Sequence, residues 1–107
     1  MERQPSARMM IGDVCIDVRQ RVVTIKNVPV EFTCKEFDIF HYLCQHKDWA
    51  ITKQQMIDAL WDISAEVSYH TIENMVYKIR KKIQSSSSVM IQTMIGYGYK
   101  LIEKTHE

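Results

Sequence analysis

Glycine is scarce in this chain, with three residues among 107. Gly12, Gly96 and Gly98 form no phosphate-cradling loop, and no G-x-S-x-G nucleophile turn occurs. Cys15, Cys34 and Cys44 are an odd set without C-x-x-C spacing, which argues for reduced thiols and against a disulfide framework. A zinc site drawn from Cys34, His41, Cys44 and His46 is conceivable. Cys44, however, shares a helical stripe with Phe37 and Phe40, where a small apolar residue packs well, so neither metal nor cofactor is expected. The four histidines, His41, His46, His70 and His106, are scattered, and a nucleophilic cysteine would need a basic neighbour in a cleft. Catalysis is not expected. No apolar run approaches the roughly 20 residues of a membrane span, and the N-terminus lacks the apolar core of a secretory signal. The expectation is a soluble, cytoplasmic protein with no membrane partner.

Net charge is also near zero, at +1 with a pI of about 7.7, so bulk charge does not argue for a nucleic-acid partner. Its distribution does. From Tyr69 to Gln84, Lys78, Arg80, Lys81 and Lys82 stand against Glu73, giving +3 and leaving −2 for the rest of the chain. With Ile72 at zero and about 100° per residue, Met75, Val76, Ile79 and Ile83 fall within roughly 60° of one line. On the opposite side lie His70, Asn74, Tyr77 and Lys81, flanked by Thr71, Lys78 and Lys82. A helix with an apolar seam and a cationic, hydrogen-bonding outer face is suited to an anionic groove. A merely solvated face has similar composition, so the context of this helix decides between them.

Residues 1–10 read as a linker or tail, 11–103 as a single domain and 104–107 as a C-terminal tail. Strand-like alternation begins at Ile11 and continues through Val14 to Val18, Val22 to Ile25 and Val28 to Phe32. Asn27 suits a left-handed turn and Pro29 an edge strand. Thr33 and Glu36 then form a T-x-x-E capping box, with Phe32 and Phe37 at the staple positions, opening a helix from Cys34 to about Lys47. Thr52 to Gln55, with Ile51 and Met56, repeat the device for a helix ending near Trp61. Residues 62–67 break the periodicity, and Ser68 can cap the basic helix, so the two helices make a helix-turn-helix. Ser85 to Ser88 read as a solvated turn. Val89 to Thr93, a turn at Ile95-Gly96-Tyr97-Gly98 and Tyr99 to Ile102 make a hairpin.

This order resembles the C-terminal winged-helix effector domain of OmpR/PhoB-type two-component response regulators. The resemblance rests on Phe32-Thr33-Cys34-Lys35-Glu36-Phe37-Asp38-Ile39-Phe40, similar to L-T-x-x-E-F-x-L-L, and on Thr52 to Trp61. Ile79-Arg80-Lys81-Lys82-Ile83, similar to L-R-x-K-L, and Gly96-Tyr97-Gly98-Tyr99, similar to G-x-G-Y, complete it. The implied fold class is α+β: a winged helix-turn-helix with an N-terminal antiparallel sheet, three helices and a C-terminal β-hairpin wing.

The resemblance implies transcription regulation by binding double-stranded promoter DNA as a dimer or tandem pair, with helix 69–84 in the major groove. The family's base-reading positions fall on Asn74, Lys78 and Tyr77. Its backbone-contacting positions fall on Trp61, His70, Thr71, Tyr77, Arg80 and Tyr99; Lys81 joins them from the helical wheel. The wing is Ile95, Gly96, Tyr97 and Gly98. It departs from the family in carrying Ile95 where an arginine often enters the minor groove. The 62–67 connection matches the loop that faces RNA polymerase, with Asp62 and Glu66 as its acidic candidates. There is no room for a receiver fold, which needs roughly another hundred residues, so an N-terminal receiver is expected upstream, with a stand-alone regulator as the alternative. The rival functional reading is a winged-helix protein-interaction module that does not bind DNA.

Overall fold

The computed structural model describes residues 7–104. Four strands, β1 (Arg8–Ile11), β2 (Val14–Asp17), β3 (Val22–Ile25) and β4 (Val28–Val30), form an antiparallel meander. They are followed by α1 (Cys34–Gln45), the two-residue β5 (Ile51–Thr52), α2 (Lys53–Leu60) and α3 (Tyr69–Lys82). Strands β6 (Val89–Met94) and β7 (Gly98–Glu103) then pair as a hairpin, and β5 joins β7 to complete a second antiparallel sheet. This is the expected α+β winged-helix architecture.

The meander starts within the segment read as a tail, because Arg8 pairs with Asp17 and Ile11 with Val14 around the Gly12–Asp13 turn. Residues 1–6 and 105–107 of the two expected tails lie outside the described residues. Alternation puts Val14, Ile16, Val23 and Ile25 on the buried face, while Cys15 and Thr24 face outward. Asn27 adopts a left-handed φ of 68°, and Pro29 sits on the edge strand, where its missing N–H costs no ladder bond.

Both capping boxes form. Thr33 accepts from the Glu36 N–H while the Glu36 carboxylate accepts from the Thr33 N–H; Thr52 and Gln55 do the same for α2. Helix α1 stops two residues earlier than its periodicity indicates: His46 caps it, its Nδ1 lies 2.8 Å from the Tyr42 carbonyl, and Asp48 turns left-handed at φ 74°. The helix buries Phe37, Ile39, Phe40, Leu43 and Cys44, more than one stripe, because it packs on α2, α3 and β7 together. The seam of α3 meets it with Ile72, Val76 and Ile79 fully buried. Each such side chain contributes about 1.5–3 kcal/mol.

Two polar contacts tie these layers. Glu36, only 3 % exposed, accepts from Lys82 Nζ at the last turn of α3. Burial alone raises its carboxyl, but the Lys82 ammonium and the Thr33 N–H outweigh this and hold it below the ordinary glutamate value. The second contact corrects the reading of the serine run as a solvated turn. Ser86 is buried, its hydroxyl donates to Asp13 Oδ1 at 2.7 Å, and the Ser87 N–H donates to Asp13 Oδ2 at 2.7 Å. The segment after α3 is thereby pinned to the first turn of the meander. No sequence period announces a pair 73 residues apart.

Replacing Lys82 with methionine strands a buried carboxylate, so Lys82→Met is expected to lower stability by about 2 kcal/mol at neutral pH. The sign with pH follows from the lowered carboxyl: its contribution is full above the unfolded-chain value of about 4.3 and is lost as pH falls through the lower folded value. Urea unfolding in acid should therefore show the deficit shrinking; a deficit unchanged by acid would mean that Lys82 acts by packing alone. At the hairpin, a Cβ on Gly98 would stand 2.0 Å from the Ile51 carbonyl, whereas one on Gly96 meets nothing within 4 Å but carries a φ of +75°. Gly96→Ala should cost about 1 kcal/mol, and Gly98→Ala visibly more in thermal melting, because β5 and β7 must part.

Candidate nucleic-acid interface

Ser68 starts α3 by accepting from the Thr71 N–H at 3.2 Å, and Ile72, Val76, Ile79 and Ile83 lock the helix onto the core. The opposite face is thereby fixed outward. His70, Asn74, Tyr77, Lys78 and Lys81 are all exposed along it, while Thr71 is half-buried, its hydroxyl 3.2 Å from that of Ser68. Lys81 Nζ lies 5.1 Å from the centre of the Tyr77 ring, so the cation and phenol form one unit. Lys78 makes no ion pair with any described residue.

The four cations of α3 divide in two. Lys82 faces inward to Glu36. Arg80 bridges to the hairpin, donating from Nε to the Ile91 carbonyl at 3.1 Å and from Nη2 to Thr93 Oγ1, with its guanidinium 5.4 Å from the Tyr99 ring. Tyr99 is 6 % exposed and belongs to the core. The positions expected to contact the DNA backbone therefore split as well: His70, matched by resemblance, and Lys81, added from the helical wheel, present their groups to solvent, whereas Arg80 braces the wing and Tyr99 fills the space beneath it. Trp61, half-buried, caps α2, and Lys35 Nζ lies 4.7 Å from its ring while donating to the Leu60 carbonyl.

At the hairpin tip, Ile95, Gly96 and Tyr97 are exposed and Gly98 is buried against β5. The Tyr97 N–H donates to the Met94 carbonyl at 2.8 Å, closing a tight turn. A cleft of about 370 Å³ lies between this turn and the first turns of α2 and α3. Within it, Lys53 Nζ contacts Glu73 Oε2 at 2.6 Å, and the Tyr69 hydroxyl donates to Gln54 Oε1 at 2.9 Å. The hydrogen bond from Lys53 holds the Glu73 carboxyl below its usual value, and the same contact raises the lysine. Sequence reading missed Lys53, Gln54 and Tyr69 as members of this face. They meet only because α2 crosses α3, and no spacing along the chain encodes that crossing.

The connection between α2 and α3 is irregular, with Asp62 and Glu66 exposed and Ile63 wholly so. It adjoins a groove lined by Ile57, Trp61, Ala65 and Val67. Among the described residues, no group of three or more His, Cys, Asp and Glu side chains is placed to hold a metal ion. Cys34 is exposed, and Cys44 is buried in the core, where burial pushes its thiol up to about 12.

A rigid outward helix with two exposed lysines that make no ion pair with a described residue, an amide and a phenol, beside a braced hairpin, can present donors to both phosphates and base edges. Residues 27–101 match the family model described as "Transcriptional regulatory protein, C terminal". The chain is similar to the sensory transduction protein RegX3 of Mycolicibacterium smegmatis, 33% identical over 92 residues that cover 84% of this chain and 40% of the relative. It thus spans about two-fifths of the length of the curated relatives it matches. Its fold is similar to that of the response regulator DrrB, a Thermotoga maritima OmpR/PhoB homolog, with TM-score 0.79 and 24% identity over 90% of this chain and 44% of that one. It is likewise similar to the Klebsiella pneumoniae RstA DNA-binding domain solved in complex with the RstA box, with TM-score 0.76 and 18% identity over 89% and 96% of the two chains.

Proposed function

The chain belongs to the family of transcriptional regulatory protein C-terminal domains, and from that premise we propose that it is the DNA-binding effector domain of an OmpR/PhoB-type two-component response regulator. It binds double-stranded promoter DNA sequence-specifically through α3 in the major groove and performs no catalysis. The observation that carries this reading is the exposed line His70, Asn74, Tyr77, Lys78 and Lys81 on a helix whose opposite seam, Ile72, Val76, Ile79 and Ile83, is buried in the core. An interaction module has no need of a cationic line of that length beside a braced hairpin, and the family does not favour it.

Asn74 can pair bidentately with adenine, and Lys78 can donate to guanine O6 or N7. Tyr77 and Lys81, coupled through ring and cation, together with His70 and Thr71, serve the phosphates that flank those bases. Trp61 contributes at the end of α2. Arg80 and Tyr99 act on the DNA through the wing they support. A dimer or tandem pair reads two half-sites about one helical turn apart. An N-terminal receiver supplies the signal, as the span of the relatives supports, and the cytoplasm is the compartment. The exposed loop with Asp62, Ile63 and Glu66 faces RNA polymerase.

Because Arg80 and Lys82 are engaged within the fold, fewer cations remain for phosphates than the sequence count of four on α3. With about two phosphates neutralised per monomer, log affinity should fall with log salt at a slope of roughly −1.8, against about −3.6 for four. Lys78→Ala should relax sequence preference with a loss of about 1–3 kcal/mol confined to the matched duplex. Lys81→Ala should weaken matched and scrambled duplexes alike and flatten the slope by about one unit. Titration of both variants on both duplexes checks this, and identical behaviour of the two would overturn the division of labour.

A further inference from the structure

The wing tip has a composition at odds with an electrostatic role. From Gln92 to Gly98 there is no lysine or arginine, and the residue at the apex, Ile95, is 96 % exposed with Tyr97 beside it at 54 %. The tip is not a loose loop. The Tyr97 N–H holds the Met94 carbonyl at 2.8 Å, Gly96 supplies the left-handed φ of +75°, and Gly98 is pressed against the Ile51 carbonyl. Arg80 clamps the same hairpin to α3 through the Ile91 carbonyl and Thr93. Met94, Gly96 and Tyr97 line the cleft shared with the first turn of α3, while Ile95 is not among its lining residues and projects beyond it.

We propose that Ile95 is an apolar wedge, set at a fixed distance from α3, that enters the minor groove next to the major-groove site and opens a base step. The inference rests on the DNA-binding reading above. A side chain without donor or charge cannot read the minor groove by hydrogen bonding or by its potential. It acts sterically, by partial unstacking, and so selects a deformable step such as TA or CA/TG and bends the duplex. Tyr97 covers the sugar edge beside it. Specificity is thereby added at a position that α3 does not touch.

The test uses selected duplexes carrying either a single half-site or a pair of them, with affinity measured against salt and bending by end-to-end fluorescence transfer, for the parent, Ile95→Ser, Ile95→Met and Ile95→Arg. The exposed tip leaves the fold intact in all three, which circular dichroism verifies. The parent should bend the duplex by at least about 20°. Ile95→Ser should bind about fivefold to tenfold more weakly with less bend and the same salt slope, and Ile95→Met should restore both. Ile95→Arg should recover affinity with a slope steeper by about 0.9 and prefer an A-tract to the flexible step. Ile95→Ser binding and bending like the parent overturns the wedge while leaving DNA binding standing. A loss seen only on paired half-sites also overturns it, assigning Ile95 to contact between neighbouring copies. A parent that binds no duplex overturns this inference together with the reading beneath it.

Discussion

A single buried carboxylate connects the elements on which the interface is built. Glu36 caps the first turn of α1 through the Thr33 N–H and accepts from Lys82 in the last turn of α3. At 3 % exposure it has no water to fall back on, so both partners must stay in place for the charge to be tolerated. That requirement fixes the rotation of α3 about its own axis at the C-terminal end, while Ile72, Val76 and Ile79 fix it along the seam. Once the rotation is set, which side chains face outward follows from helical geometry alone.

The same logic divides cations that sequence reading groups together. Lys82 neutralises a buried acid, Arg80 ties α3 to β6, and Lys78 and Lys81 face outward. The basic helix is therefore less basic to a partner than its composition states, and its inward charges contribute by rigidity. Arg80 and Gly98 are the two fixings of the wing: one links it to α3, the other lets β7 approach β5 closely enough for backbone pairing. An apolar tip on so fixed a hairpin has a defined place relative to α3.

Much of this was legible in the residues because local signals agreed with one another. Two reciprocal capping boxes, a strict apolar seam on α3, and alternation in Val14 to Ile25 each name an element and its buried face. What escaped was short or non-local. Strand β5 has two residues, one of them already serving as a helix cap. Strand β1 is marked only by a methionine pair beside a Gly-Asp turn. The pinning of Ser86 by Asp13 and of Glu73 by Lys53 spans chain separations that no period reaches. The outward placement of Asn74, Lys78 and Lys81 was readable from the wheel. The inward turn of Arg80 and the burial of Tyr99 depend on where the hairpin docks, which the sequence of α3 does not contain.

The central claim is that this domain reads a base sequence from the outer face of α3. Selection from a random duplex library at two salt concentrations tests it most directly. The account predicts enrichment of a half-site repeated about one helical turn apart, with preference over a scrambled duplex surviving at the higher salt. Recovery of no common sequence, with binding that salt erases equally for every duplex, would contradict it.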